Sequence, residues 1–286
     1  VVFPSKSWSF ALLNHSSNSL IFLSFFIINK DILYIFIIYI YGEIVNILLS
    51  NDDGFKSIGL KVLKDTLNNY GNVLTVAPDK DISASSSCLS VHHPVKTVKI
   101  SNKFYKVFGT PADCVHIGAR GMLKKYPDMV FSGINFGSNM GDDVIYSGTV
   151  GAAIEGRHAK FGSYAISIAS RTPKYLDDIE LKTHHVLDFI FNKLKSLKTI
   201  FNINIPDLPF SEIKGIKFSL LGTRAISKRA KKTNINQCMF YDIGDVGPGS
   251  NKRGTDFNVI RDGYISVTPI MIDMTDTAIF KKLKKL

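Results

Sequence analysis

Ile47-Leu48-Leu49-Ser50-Asn51-Asp52-Asp53-Gly54 is the stretch in which chemistry is most concentrated. An apolar run from Ile44 to Leu49, broken only by Asn46, reads as a buried strand that stops on polar residues, two adjacent carboxylates and a turn-forming glycine. Two like charges at the C-terminal end of a strand repel, so either one acid keeps its proton or a cation sits between them. Oxygen ligands suit a hard divalent ion such as Mg, Mn or Ca, and strand C-termini of open α/β sheets are where such folds bind ligands. Taken alone, Asp-Asp-Gly reads equally well as an Asx turn capping the next helix.

Two later loops favour the ion. Asp79 to Ser90 holds Ser83, Ser85, Ser86, Ser87 and Ser90 just past a second strand, so a hydroxyl from it can complete an oxygen shell, although spacing alone does not choose which. Ser132-Gly133-Ile134-Asn135-Phe136-Gly137-Ser138-Asn139-Met140-Gly141-Asp142-Asp143 follows the buried run Met129 to Phe131 and offers amide oxygens and backbone freedom. Tyr146-Ser147-Gly148-Thr149-Val150-Gly151 then opens a small-residue helix running on through Glu155, Arg157 and His158, whose first amides and hydroxyls suit a phosphate. No Gly-Lys-Ser/Thr occurs there, which disfavours a nucleoside triphosphatase of the P-loop kind.

The elements that would position these residues alternate between strand and helix. Ser57 caps a helix carrying Leu60, Leu63 and Leu67 on one face, and Val73 to Ala77 is a strand stopped by Pro78, which completes a βαβ unit with a parallel sheet and right-handed crossover. Val95 to Ile100 and Phe104 to Phe108 read as a hairpin, and Thr110-Pro111-Ala112-Asp113 as a capped helix start. Further strands are expected at Ala165 to Ala169, Phe201 to Ile205, Ile216 to Leu221 and Gly263 to Ile270, with a long helix from Ile179 to Leu197. Gly222 to Asp262 is polar, Gly-rich and basic, and reads as a protruding arm used for oligomer contact or as a lid. His92 and His93 fall on an extended segment, on opposite faces and unsuited to one ion. His116 and His158 fall in helices and read as packing or surface residues.

At 286 residues and 45% hydrophobic, the chain can bury one substantial core. Its net charge of +11 comes from scattered Lys and Arg, denser only at Ser227 to Lys232 and Lys281 to Lys285, so a solvated basic surface attracting anions is favoured over nucleic-acid binding. Three cysteines without Cys-x-x-Cys spacing support neither a disulfide framework nor a structural zinc, and a reducing cytosol fits best. Residues 1 to 43 are an apolar extension of another character, with Leu20 to Ile28 and Ile32 to Tyr41 interrupted by Asn29-Lys30-Asp31. Translated upstream sequence or a degenerate extension is the favoured reading; a membrane contact by residues 20–41 or a cleaved signal is less favoured, because charges sit mid-span and no cleavage site is evident.

The Ile47 to Gly54 stretch, Val76-Ala77-Pro78-Asp79, Gly109 to Val115, Ser132-Gly133-Ile134-Asn135, Gly141 to Val150 with Glu155-Gly156-Arg157, and Gly254-Thr255-Asp256-Phe257 together resemble the SurE family of survival-protein 5'-nucleotidases, in order and spacing, from about Ile44 to near Thr275. The resemblance implies a Rossmann-like α/β fold, with a parallel-rich sheet, helices on both faces and a C-terminal extended arm around 222–286 that makes dimers or tetramers. It implies a cytoplasmic phosphatase that uses one divalent metal cation, Mn, Mg or Co, on nucleoside 5'-monophosphates, with 3'-monophosphates and short polyphosphate as further substrates. The family's metal ligands fall on Asp52, Asp53, Ser83 and Asn135, with Asp52 and Asp53 also catalytic, and its phosphate contacts on Asn139, Ser147, Gly148 and Thr149. The chain departs from the family beside Ser83, where Ile82-Ser83-Ala84 replaces an Arg-Ser-Gly-like run. Rival readings are a phosphoaspartyl mechanism on the same acids, a receiver-type signalling module, and a basic nucleic-acid binder.

Overall fold

The computed structural model describes residues 9–14, 20–29, 32–40, 44–236, 238–243 and 246–286, and the chain divides into two compact units, Val1–Val45 and Asn46–Leu286. In the first unit, strands β1 (Ser9–Asn14), β2 (Leu20–Asn29) and β3 (Ile32–Ile40) pair antiparallel in that order. The two long apolar runs are therefore two paired strands rather than one continuous segment, and the Lys30-Asp31 break between them lies outside the described residues. No helix among the described residues is long and apolar enough to cross a membrane.

The second unit begins with β4 (Asn46–Ser50), α1 (Ile58–Leu67) and β5 (Asn72–Pro78). The hairpin β6 (Thr97–Ser101) and β7 (Phe104–Val107) follows, then α2 (Pro111–Ile117), β8 (Met129–Phe136), α3 (Gly148–Glu155) and β9 (Ser163–Ile168). The chain continues through α4 (Ile179–Phe189), β10 (Ile200–Ile205), β11 (Ile216–Phe218), the hairpin β12 (Lys231–Ile235) and β13 (Cys238–Asp242), α5 (Asp256–Arg261), β14 (Ile265–Ile270) and α6 (Thr277–Leu283). Among the described residues, nine strands of this unit form one sheet in the order β11-β14-β10-β9-β8-β4-β5-β7-β6, with only β10–β14 and β6–β7 antiparallel.

Both faces of this sheet are covered, as an apolar strand without alternation requires. On one face Leu48, Val76, Val107 and Val130 pack with Cys114, Val115 and Ala119 and with Ala152 of α3. On the other, Phe131, Tyr164 and Phe201 stand in register on β8, β9 and β10, stacked at 5.0 and 5.6 Å between ring centroids, and Phe191 lies 6.4 Å from Phe131. The helix starts follow the local chemistry. Ser57 Oγ accepts from Leu60 N at 3.3 Å, and Thr110 and Asp113 form a reciprocal capping box, with Asp113 N donating to Thr110 Oγ1 at 3.0 Å and Thr110 N to Asp113 Oδ2 at 2.9 Å. Burial pushes the Asp113 carboxyl up, but the hydrogen bonds from Ser90 and Thr110 outweigh it and hold the group below its ordinary value.

Several elements differ from the sequence expectation. β8 runs on through Asn135 to Phe136, so Asn135 lies in the sheet and not in a loop; a register shift against β9 between Ser132 and Asn135 absorbs the glycine. α3 stops at Glu155 because Gly156 caps it, which leaves Arg157 and His158 in a turn where His158 meets the Tyr126 ring edge at 6.3 Å. His92 and His93 occupy an exposed turn before Pro94 instead of an extended segment. The stretch 222–262 is not structureless: it holds β12, β13 and α5, and a short α6 follows β14. The hairpin leaves Met239, Phe240 and Tyr241 exposed, and Ile226 before it is 97% exposed.

Candidate active site

The C-terminal ends of β4 and β8, the loop after β5 and the first turn of α3 meet at one rim of the sheet. Asn51 fixes the turn after β4: its Nδ2 donates to Gly54 O at 3.0 Å and to the helix-capping Ser57 Oγ at 2.8 Å. Gly54 takes φ +93°, and a Cβ there would come 2.9 Å from the Lys80 carbonyl carbon, so only glycine lets the two loops approach this closely. Asp52 is pressed inward at 4% exposure.

Thr149 takes both oxygens of Asp52: its hydroxyl donates to Oδ1 at 2.6 Å and its amide to Oδ2 at 3.1 Å. Gly148 lies directly against them, since a Cβ on it would sit 3.0 Å from Asp52 Oδ2 and 3.0 Å from Ser85 Oγ. Ser147 caps α3 by accepting from Val150 N at 3.0 Å. Among the described residues, the Ser147 hydroxyl proton and the Gly148 amide have no protein acceptor.

Burial raises the Asp52 carboxyl above its ordinary value against the opposing Thr149 hydrogen bonds, with the Asp81 charge adding to the rise. Asp53 is pushed up to about 7, first by burial and then by the charge of Asp52, with the Phe136 amide opposing. Neither acid has a Lys, Arg or His partner among the described residues.

Asn135, 8% exposed at the end of β8, donates Nδ2 to Gly137 O at 2.7 Å and keeps its Oδ1. Asn139 donates Nδ2 to Ser167 Oγ at 2.8 Å and to Thr149 Oγ1 at 3.3 Å, so its amide nitrogen is committed within the protein. Ser83 stands apart from the other predicted residues: it is exposed, and its amide and hydroxyl both donate to Asp81 Oδ1, at 2.8 and 2.6 Å. Its loop is nonetheless tied to the site one residue earlier, by Ile82 N to Asp52 O at 2.9 Å, and again by Ser86 N to Tyr146 O at 3.1 Å. Ala84, beside Ser83, holds φ +61°, a left-handed conformation that glycine adopts freely and alanine does not.

The donor set fits a hard cation. A buried carboxylate and a partly buried one repel each other with no basic group among the described residues to neutralise them, which is the conflict an ion relieves. Ser85 Oγ, packed against Gly148 beside Asp52, is buried without a hydrogen-bond partner among the described residues, as is Asn51 Oδ1. Among the described residues no three His, Cys, Asp or Glu gather at one point, so any shell must mix the two acids with amide and hydroxyl oxygens. A cleft of about 350 Å³ opens beside Asp53, lined by Phe55, Lys56, Asp79, Lys80 and Lys106, where Lys106 pairs with Asp79 at 2.6 Å.

Sequence reasoning named Ser85 only as one of five loop serines and Asp256 only within a motif, and it gave no part to Asp81 or Asn204. Asn202 and Asn204 did carry a signal, being amides at alternate positions of an otherwise apolar strand.

Residues 47–228 match the family model described as survival protein SurE. The chain is 44% identical over 233 residues to the 5'-nucleotidase SurE of Histophilus somni (strain 2336), a match covering 81% of this chain and 94% of that protein. It is 42% identical to the 5'-nucleotidase SurE of Mannheimia succiniciproducens, over 81% of this chain and 94% of that one. The crystal structure of Sure protein from Aquifex aeolicus superposes with a TM-score of 0.72 at 38% identity, covering 84% of this chain and 98% of that one.

Proposed function

The chain belongs to the survival protein SurE family, and from that premise we propose that it is a 5'-nucleotidase that hydrolyses nucleoside 5'-monophosphates with one divalent cation, Mn, Mg or Co. The 5'-nucleotidase names of its relatives support the reaction class. The observation that carries the metal requirement is the pair Asp52 and Asp53: one buried, the other partly buried, repelling each other, and without a basic partner among the described residues. Asp52, Asp53, Asn135 and a serine hydroxyl, Ser83 on the family pattern, would hold the ion.

Such a cation neutralises phosphoryl charge and acidifies water. The chain's own groups do the rest. Thr149 holds Asp52 in one rotamer through both carboxylate oxygens. The Gly148 amide and the Ser147 hydroxyl, at the positive end of α3, are donors for the non-bridging oxygens of a phosphate, so they orient it and favour the charge that develops as the ester bond breaks. The lysines of the adjoining cleft draw in an anionic substrate and leave room for its nucleoside. Asn139, with its nitrogen committed to Thr149 and Ser167, supports phosphate binding by shaping this turn.

The extension before residue 44 takes no part in the chemistry on this reading, and the enzyme is cytoplasmic. The exposed Met239, Phe240 and Tyr241 of the hairpin support assembly into a homodimer or tetramer, which sedimentation of the full chain reads directly; a monomer at micromolar concentration would refute it. The central experiment is phosphate release from a panel of nucleoside 5'- and 3'-monophosphates and short polyphosphate, with chelator and then with each of Mn, Mg and Co. Metal-restored release from 5'-monophosphates is expected. Undiminished release in excess chelator, or a trapped phosphoenzyme, would overturn the mechanism.

A further inference from the structure

One short piece of the glycine-rich segment is gripped by buried side chains from the C-terminal half of the sheet. Asn204, fully buried on β10, takes both main-chain groups of Asn139: its Oδ1 accepts from Asn139 N at 2.9 Å and its Nδ2 donates to Asn139 O at 2.8 Å. Asn202, two residues earlier on the same face of the strand, donates to that carbonyl at 2.7 Å. Two residues further along the segment, the buried Asp256 at the start of α5 accepts from Gly141 N at 2.6 Å.

The constraint continues toward the carboxylates. Asn139 Nδ2 donates to the Thr149 hydroxyl at 3.3 Å. Having accepted there, the hydroxyl has one proton to give, and it goes to Asp52 Oδ1 at 2.6 Å. A directed file of hydrogen bonds thus runs from Asn204 through Asn139 and Thr149 to Asp52. Asn135, Ser167 and Asn204 also stand in register across β8, β9 and β10, a polar row in strands built mostly of apolar residues. Leaving such amides in a sheet interior is costly unless each is paired, and Asn204 is paired to loop main chain and not to its strand neighbours.

We propose that Asn204 is a positioning residue for the cation-binding carboxylate: acting through Asn139 and Thr149, it fixes the orientation in which Asp52 meets the ion. Asn202 is the matched control. It is equally buried on the same strand, but it touches only a carbonyl that Asn204 also serves. The inference rests on Asp52 being a metal ligand, so its test reads Mn²⁺ binding as well as turnover.

The test measures Mn²⁺ affinity by titration calorimetry and kcat and KM on a nucleoside monophosphate for the full chain and for Asn204→Ala, Asn202→Ala, Thr149→Val, Thr149→Ser and the Asn204→Ala/Thr149→Val double variant. Asn204→Ala should weaken Mn²⁺ binding by about 10-fold and lower kcat by about 10- to 100-fold, the range seen when a ligand's outer partner is removed, with substrate KM little changed. Asn202→Ala should stay within about threefold of the parent, and Thr149→Ser should retain what Thr149→Val loses. In the double variant the losses should not multiply, because both substitutions cut one file. Multiplying losses, or an Asn204→Ala protein with parental Mn²⁺ affinity and kcat, would overturn the proposal. If Asn204→Ala does not fold, Ser167→Ala removes the other acceptor of Asn139 Nδ2 and decides the question by the same readouts: parental values overturn it, a matching loss upholds it. A parent that binds no Mn²⁺ refutes the metal reading itself, a distinct result.

Discussion

Strands β8, β9 and β10 present two different rows to the two sides of the sheet. Toward α1 and α4 they offer Phe131, Tyr164 and Phe201, stacked ring on ring in register. Three or four residues further on, toward α3, the same strands offer Asn135, Ser167 and Asn204. The aromatic row removes large apolar area from water, and stability is its whole contribution. The polar row gives up that contribution and returns orientation: every amide in it holds a loop or a carboxylate in one place. The contrast teaches that one sheet can be read for stability on one face and for chemistry at one rim, and that the two should respond separately to substitution.

Three substitutions would break or sharpen this separation. The largest effect is expected at the rim, where Asp52→Asn should lower nucleotide hydrolysis by about 10²- to 10³-fold or more while the urea midpoint stays near the parental value. Hydrolysis at the parental rate in a phosphate-release assay would remove Asp52 from the chemistry. On the aromatic side, Phe201→Leu should cost about 1.5 kcal/mol in urea denaturation and leave kcat within about twofold, since strand alternation puts Phe201 on the face opposite Asn202 and Asn204; a kcat loss larger than the stability loss would erase the distinction between the two rows. The smallest effect is expected on the serine loop. Ala84→Gly relieves a left-handed alanine and should stabilise the protein by about 0.5–1 kcal/mol, measured by the same denaturation; a destabilised variant would mean that the strain there is offset by a contact of the methyl group.

Much of this arrangement is legible in the sequence where a local rule decides the structure. Ser57 and the Thr110-Pro111-Ala112-Asp113 box announce helix starts because capping involves only neighbours in the chain, and the apolar run before Asp52 announces a buried strand because both faces of a parallel sheet are covered. Asp52, Gly148 and Thr149 fall together at one rim, as the order of motifs suggests. Readings fail where the deciding partner is distant. The segment 222–262 reads as loose because α5 gains its order from tertiary contacts: Asp256 accepts from Gly141 and Gly222, and Phe257 packs against three glycines. The pattern of small residues runs past the end of α3 because it does not stop at Gly156, which caps the helix through contacts the sequence does not display. Ser85 could not be told from its neighbours, since five serines in one loop share a chemistry and differ only in where the fold turns them.

The loop bearing Ser83 is fastened at both ends by peptide groups, Ile82 N on Asp52 O and Ser86 N on Tyr146 O. An anchor of this kind is blind to which side chains the loop carries. Substitutions at 82 and 84 can therefore alter charge and local comfort while the backbone of the loop stays tied to the strand end that bears Asp52, as it does in this chain with isoleucine and alanine there.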